Sequence, residues 1–269
     1  MLRAIVRKIL YRITGINSIG QAINPITYLD VLYFRVIYIC LGGCVWDGKF
    51  QGLKLQKRSG GGSEIKPKLF GTYETELDGV WEGSTSSIAT MVDIGADDGY
   101  YAIGLARMNP NLRAVAVECD PARCELIKKS VDRNQVSGRV DVVCRRLAVG
   151  ANLLSVLDAL VAPILIKSDI EGGEYLLFDA QTLTELFQRR IPLIVETHVD
   201  EQSEACLIES MRASGYLVRT INQDRSKKIK TERMDWFSAL GCNLFARRWT
   251  DESRGTQFNR WVVAQIPAG

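Results

Sequence analysis

The sequence predicts an α/β fold: a mostly parallel sheet with helices on both faces. Three observations carry that expectation. From residue 91 onward, short apolar runs alternate with helix-patterned segments, and such alternation requires crossover connections between parallel strands. Glycines and carboxylates cluster just after several of those runs, where ligands bind at the carboxyl ends of parallel strands. The chain has 269 residues with 46% apolar and 24% charged side chains, which excludes bulk disorder and allows a large core without disulfide staples.

Taken in chain order, residues 1–14 read as an amphipathic helix. Leu2, Ile5, Val6, Ile9, Leu10 and Ile13 recur at helical spacing, opposite Arg3, Arg7, Lys8 and Arg12. Charges interrupt any apolar core of a signal peptide there. Residues 31–46 are strongly apolar but too short to span a bilayer, and Arg35 lies inside them. Two readings stand for residues 1–46: peripheral contact with a membrane surface, or helices packed on the body, the commoner fate of apolar helices. Lys57 to Lys66, with Gly60, Gly61 and Gly62, reads as a linker.

Strands are predicted at Met91–Ile94, Ala114–Glu118, Val140–Cys144, Ile164–Lys167 and Leu193–Glu196. The final two fall at Tyr216–Ile221 and Cys242–Arg247. Helices are predicted at Gly99–Met108 (stopped by Asn109-Pro110), Pro121–Gln135, Gly173–Arg189 and Asp200–Ala213. A loop rather than a clear helix precedes the last strand, so an antiparallel edge is expected there. The resulting organisation is an extension over 1–60, a lead-in over 61–90, the α/β domain over 91–250 and a tail over 251–269.

The net charge of +3 hides a split. Residues 1–60 hold nine Lys/Arg against two Asp/Glu, a net of +7, while the remainder holds 25 against 29, a net of −4. A basic arm on a mildly acidic body points to a surface contact for the arm and away from a nucleic-acid-binding body. With His198 as the only histidine, multi-histidine metal sites are excluded. The seven cysteines form no CxxC and no paired zinc spacing, so they read as buried free thiols in a reducing, cytoplasmic setting.

Four motifs carry chemistry. In Val92-Asp93-Ile94-Gly95-Ala96-Asp97-Asp98-Gly99, a strand passes through a glycine turn into a helix, the geometry of a nucleotide-cofactor loop. Its spacing is G-x-x-x-G, and Asp93, Asp97 and Asp98 would repel a pyrophosphate. A cationic cofactor such as S-adenosylmethionine suits that charge. Glu118 ends the second strand 23 residues after Gly95, where an acid accepts hydrogen bonds from ribose hydroxyls. The loop after the fourth strand holds Asp169, Glu171 and Glu174. Glu174 reads as a first-turn acid favoured by the helix dipole, and the other two read as functional. Glu196 and His198 end the fifth strand at the same sheet edge, which makes His198 a candidate proton acceptor. Asp169, Glu171, Glu196 and His198 form a donor set that could bind a divalent ion, an option placed second to acid–base chemistry.

Together these residues resemble the FkbM family of S-adenosylmethionine-dependent methyltransferases. The resemblance runs through KLFGTYETEL (68–77), VDIGADDGYYAIGLA (92–106), VAVECDP (115–121), SVLD (155–158), ILIKSDIEGGEYLLF (164–178) and IVETH (194–198), with the I-K-x-D-x-E-G-x-E string the most specific. It covers about two-thirds of the chain, and residues 1–60 stand outside it. It implies a class I methyltransferase fold, with a seven-stranded, mostly parallel sheet whose seventh strand is antiparallel. Asp93, Gly95 and Gly99 would line the methionine part of the cofactor, Asp97 would also contact the cofactor, Glu118 would hold its ribose, and Asp169 would lie near the transferred methyl. Relatives O-methylate hydroxyls of sugars, glycans or polyketides.

The expected reaction is displacement of a methyl from sulfonium by a substrate hydroxyl. His198 or Asp169 would serve as base, Glu171 and Glu196 would sit on the acceptor side, and a divalent metal is an option not favoured over this. The basic loop 223–233, with Arg225, Lys227, Lys228, Lys230 and Arg233, reads either as a contact for an anionic acceptor or as a solvated loop. Two other classes compete: a non-catalytic or membrane-associated binding protein that keeps the fold, and a nicotinamide oxidoreductase. The latter lacks the third glycine of a pyrophosphate loop.

Overall fold

The computed structural model describes residues 34–56, 65–84, 86–198, 200–222 and 260–267. The expected helix over 1–14, most of the glycine-rich linker, the basic loop 223–233 and the expected strand at 242–247 lie outside them. The chain divides into two compact units, residues 1–75 with 225–253 and residues 76–224 with 254–269.

In the first unit, residues 34–40 are helical and lead into a glycine turn closed by a bridge between Cys44 and Lys54. A second helix, α1 (Ile65–Phe70), follows. Val45, Phe50, Leu53, Leu55, Leu69 and Phe70 are buried. Gly71 has φ +70°, and a side chain there would overlap the Asp47 carbonyl, so only glycine lets the two backbone segments meet. Among the described residues no helix is long and apolar enough to cross a membrane.

The second unit holds the α/β body. Its elements are α2 (Asp78–Ser84), β1 (Thr90–Ile94), α3 (Tyr100–Met108), β2 (Arg113–Glu118), α4 (Pro121–Arg133), β3 (Val140–Cys144), α5 (Gly150–Leu157), β4 (Ile164–Ser168), α6 (Glu174–Leu177), α7 (Ala180–Gln188), β5 (Leu193–Thr197), α8 (Glu201–Ala213), β6 (Leu217–Asn222) and β7 (Arg260–Gln265). The strands form one seven-stranded sheet in the order β3-β2-β1-β4-β5-β7-β6. β1 to β5 are parallel, and β7 runs antiparallel to both β5 and β6.

The apolar runs become the central strands because helices cover both faces of a parallel sheet. Every residue of β1, β4 and β5 is buried. β6, at the rim, is mostly exposed. Three helices, α4, α7 and α8, start where an aspartate accepts the first free backbone N–H groups: Asp120 from Ala122, Asp179 from Thr182, and Asp200 from Gln202 and Ser203. Such a cap also breaks the single helix expected over 173–189. Asp179 starts a new helix, so α6 and α7 are separate.

Two further expectations are corrected. The strand between β5 and β6 is Arg260–Gln265, within the segment read as a tail. Its run Trp261-Val262-Val263-Ala264 is fully buried, which is what a position between two strands requires. The expectation of buried free thiols also fails. Cys124 on α4 and Cys144 on β3 are disulfide-bonded, while Cys40, Cys119 and Cys206 are free and exposed and Cys44 is half-buried. Thiol state therefore gives no support to a reducing compartment.

Candidate functional site

β1 pairs with β2 on one side and β4 on the other, so chain connectivity reverses direction across it. In open α/β sheets the crevice at that reversal, beyond the strand carboxyl ends, is where ligands bind. The register keeps those ends level: Ile94 lies opposite Val117 and Ser168, and Ser168 lies opposite Val195. The loops after β1, β2, β4 and β5 therefore meet at one edge. All four sequence motifs emerge there.

The turn after β1 is held by backbone. Gly95 and Ala96 donate to the Val117 carbonyl, and Asp169 donates to the Ile94 carbonyl. Gly95 has φ +76°, and an added Cβ would overlap the Asp169 carbonyl oxygen. Glycine is required at this position because two loops touch backbone to backbone. Gly99, at φ +80°, begins α3 against Ile103 and Ile127.

Asp93 is 1% exposed; its Oδ2 accepts from the Ala102 N–H, and its Oδ1 lies 3.4 Å from Lys167 Nζ. Burial pushes its carboxyl above the usual range, and the Lys167 ammonium offsets this only in part. Lys167 had no assigned role in the sequence reading, yet it occupies the centre of the edge. Its ammonium also lies 3.7 Å from Asp169 and within cation–π range of Tyr101 and Trp261, at 5.1 and 5.7 Å. The signal that could have revealed it is a lysine inside the apolar run ILIK, since such a residue is buried only with a partner.

Glu118 Oε1 accepts from the Cys119 and Asp120 N–H groups, and Oε2 from the Asp97 N–H at 3.0 Å. The Cys119 thiol is a further donor to this carboxylate, so it is held in place from several sides. Asp97 Oδ1 pairs with Arg123 at 2.8 Å, which neutralises part of the acidic loop.

The other half of the edge surrounds His198, whose side chain is 6% exposed. Its Nδ1 lies 3.1 Å from Glu174 Oε1. Its Nε2 faces Asp169 Oδ1 at 3.6 Å, Glu171 Oε2 at 3.7 Å and Glu196 Oε1 at 3.7 Å. One carboxylate oxygen each from Asp169 and Glu196 and one ring nitrogen of His198 lie within 4.8 Å of one another. Burial would lower the imidazole pKa, but the Glu174 hydrogen bond and the charges of Asp169 and Glu171 outweigh it and raise it above the ordinary value.

Glu174 is the first-turn acid of α6, as expected, and it has partners beyond the helix. It is completely buried and accepts from the Gly172 and Gly173 N–H groups as well as contacting His198. Burial favours its neutral form, but the His198 hydrogen bond and the backbone N–H groups outweigh this and hold it below the usual carboxyl range. Glu171 differs from its neighbours, being 83% exposed with φ 57°.

Searches against protein-family models and curated proteins gave no match. Solved structures do match. The chain is similar to the delta-N METTL16 MTase domain, with a TM-score of 0.53 and 15% identity over 89% of this chain and 97% of that one. The fold is that of class I methyltransferases. Two weaker likenesses are to precorrin-6y C5,15-methyltransferase from Geobacter metallireducens (TM-score 0.46, 17% identity, 70% of this chain and 88% of that one) and to a methyltransferase from Pyrococcus furiosus (0.49, 14%, 88% and 97%). At these identities the likeness is one of fold. In that class I sheet the crevice beside β1 is the one bordered by Asp93, Glu118, Lys167 and Asp169.

Proposed function

We propose that the chain is an S-adenosylmethionine-dependent methyltransferase of the FkbM type, acting on a hydroxyl of a sugar, glycan or other small natural product. The observation that carries this reading is the acidic crevice itself: carboxylates end β1 and β2 and follow β4 around a glycine turn at the sheet's reversal point. That donor set fits a cofactor with ammonium and sulfonium groups and disfavours a pyrophosphate. Glu118, fixed at the end of β2, would hold the ribose. Gly95, Asp97 and Gly99 would border the methionine part together with Asp93.

Bound S-adenosylmethionine supplies an electrophilic methyl group. The chain's task is then alignment and removal of a proton. Asp169 lies at the crevice edge, with its side chain 19% exposed between Lys167 and His198. The surrounding carboxylates favour a protonated His198, so Asp169 is the better proton acceptor, with His198 beside it to stabilise the transfer. Glu171 and Glu196 stand on the acceptor side of that pair.

Calorimetric titration tests the cofactor. S-adenosylmethionine should bind at one site per chain. Glu118→Gln loses a charged acceptor worth about 1.5–3 kcal/mol, so affinity should fall about 10- to 100-fold. Absence of binding by the unsubstituted protein would overturn the reading. Transfer of labelled methyl to a fractionated glycan extract then identifies the acceptor.

A further inference from the structure

We infer that Asp169, Glu196 and His198 form a divalent-cation site of the Mn2+ class at the carboxyl ends of β4 and β5, with Glu171 available as a fourth donor. Nδ1 of the histidine is committed to Glu174, a buried carboxyl group whose two oxygens already accept from the Gly172 and Gly173 N–H groups. A carboxylate can only accept, so Nδ1 carries the hydrogen, and Nε2 is the nitrogen turned toward the other three acids. A carboxylate that orients a histidine through its far nitrogen is the usual support behind a metal-binding imidazole.

The distances at Nε2 are the second observation. Oxygens of Asp169, Glu171 and Glu196 stand 3.6, 3.7 and 3.7 Å away, each too long for a hydrogen bond. A single N–H could serve only one of them in any case. Atoms about 2.1 Å from a shared ion stand about 3.0–4.2 Å apart, so each of these three distances is one that two ligands of a common ion would have. One nitrogen with carboxylate oxygens is a donor set suited to Mn2+, and water or a substrate oxygen would complete the shell.

Rigidity favours this arrangement. Glu196 is completely buried in β5, and Asp169 directly follows β4, with which β5 is in register. Thr197 donates to Glu204 on α8 at 2.6 Å, which fixes the strand end that leads into His198. Binding of the ion depends on these residues alone. Its role, holding the acceptor oxygen and making a bound hydroxyl more acidic, rests on the methyl-transfer reading and recasts Asp169 and His198 as ligands.

The test is a titration of the chelator-treated full chain with MnCl2, following the loss of the free-ion paramagnetic resonance signal. One ion should bind per chain. Glu196→Gln and His198→Ala should each weaken binding at least about tenfold, and Glu174→Gln, acting through His198, about 10- to 100-fold. Circular dichroism of each variant establishes that it is folded. If His198→Ala does not fold, the near-isosteric Glu196→Gln carries the comparison. No stoichiometric Mn2+ uptake, or uptake unchanged in folded Glu196→Gln, overturns the site. A parallel titration with S-adenosylmethionine separates the two readings: Mn2+ uptake without cofactor binding refutes methyl transfer and keeps the site, and the converse refutes the site alone.

Discussion

At the scale of single residues, the glycine after β1 is the most constrained position of the edge. Gly95 combines φ +76° with an approach so close that a Cβ would displace the Asp169 carbonyl. Gly95→Ala should therefore separate the β1 and β4 loops. The left-handed backbone alone costs about 1–2 kcal/mol for alanine, and the steric clash adds to it. A thermal melt should show a drop of about 2–4 °C per kcal/mol, and the proposed binding of S-adenosylmethionine should be lost together with the loop geometry. The glycine was legible as a turn residue. Its contact with the Asp169 backbone was not, because 74 residues of chain separate the two loops.

Lys167 and Glu174 extend the same point. Both lie in the most specific motif, whose spacing gives no role to the lysine and only a first-turn helix position to the glutamate. Sequence spacing places a side chain on an element but does not say which charge from another strand will face it. Asp93 on β1 and His198 after β5 supply those partners, and only strand order brings them within reach.

At the scale of elements, caps and joints decide where the pieces end. Asp120, Asp179 and Asp200 each start a helix, and the first and third agree with the sequence reading to within a residue. Between α8 and β6, Tyr216 donates its hydroxyl to the Ile191 carbonyl at 2.8 Å, fastening the entry to β6 onto the entry to β5. Burial raises the pKa of this phenol, so it keeps its proton. Tyr216→Phe leaves that carbonyl without its buried donor and should cost about 1–1.5 kcal/mol. Urea denaturation should show a lower midpoint at unchanged slope, with the proposed binding of S-adenosylmethionine preserved because the joint is far from the crevice along the strands.

At the scale of the whole molecule, the sheet is completed by a strand distant in sequence. β7 lies between β5 and β6 and buries Trp261, Val262, Val263 and Ala264. Burial of such side chains contributes about 1.5–3 kcal/mol each, together comparable with a total domain stability of about 5–15 kcal/mol. Removing residues 260–269 should therefore abolish the cooperative melt and leave β5 as an unpaired apolar edge that aggregates, as seen by size-exclusion chromatography.

The sequence by itself determined the class of fold, the six strands from β1 to β6 to within a residue or so at either end, and the edge at which Asp93, Glu118, Asp169, Glu196 and His198 emerge. Hydrophobic period and turn chemistry are local, and a parallel sheet forces its loops to a common edge. The tertiary structure alone decided that the closing strand is Arg260–Gln265, that Cys124 meets Cys144, and that four carboxylates surround one imidazole. Each of these depends on the distance between groups far apart in the chain, and that distance is set by strand order and register.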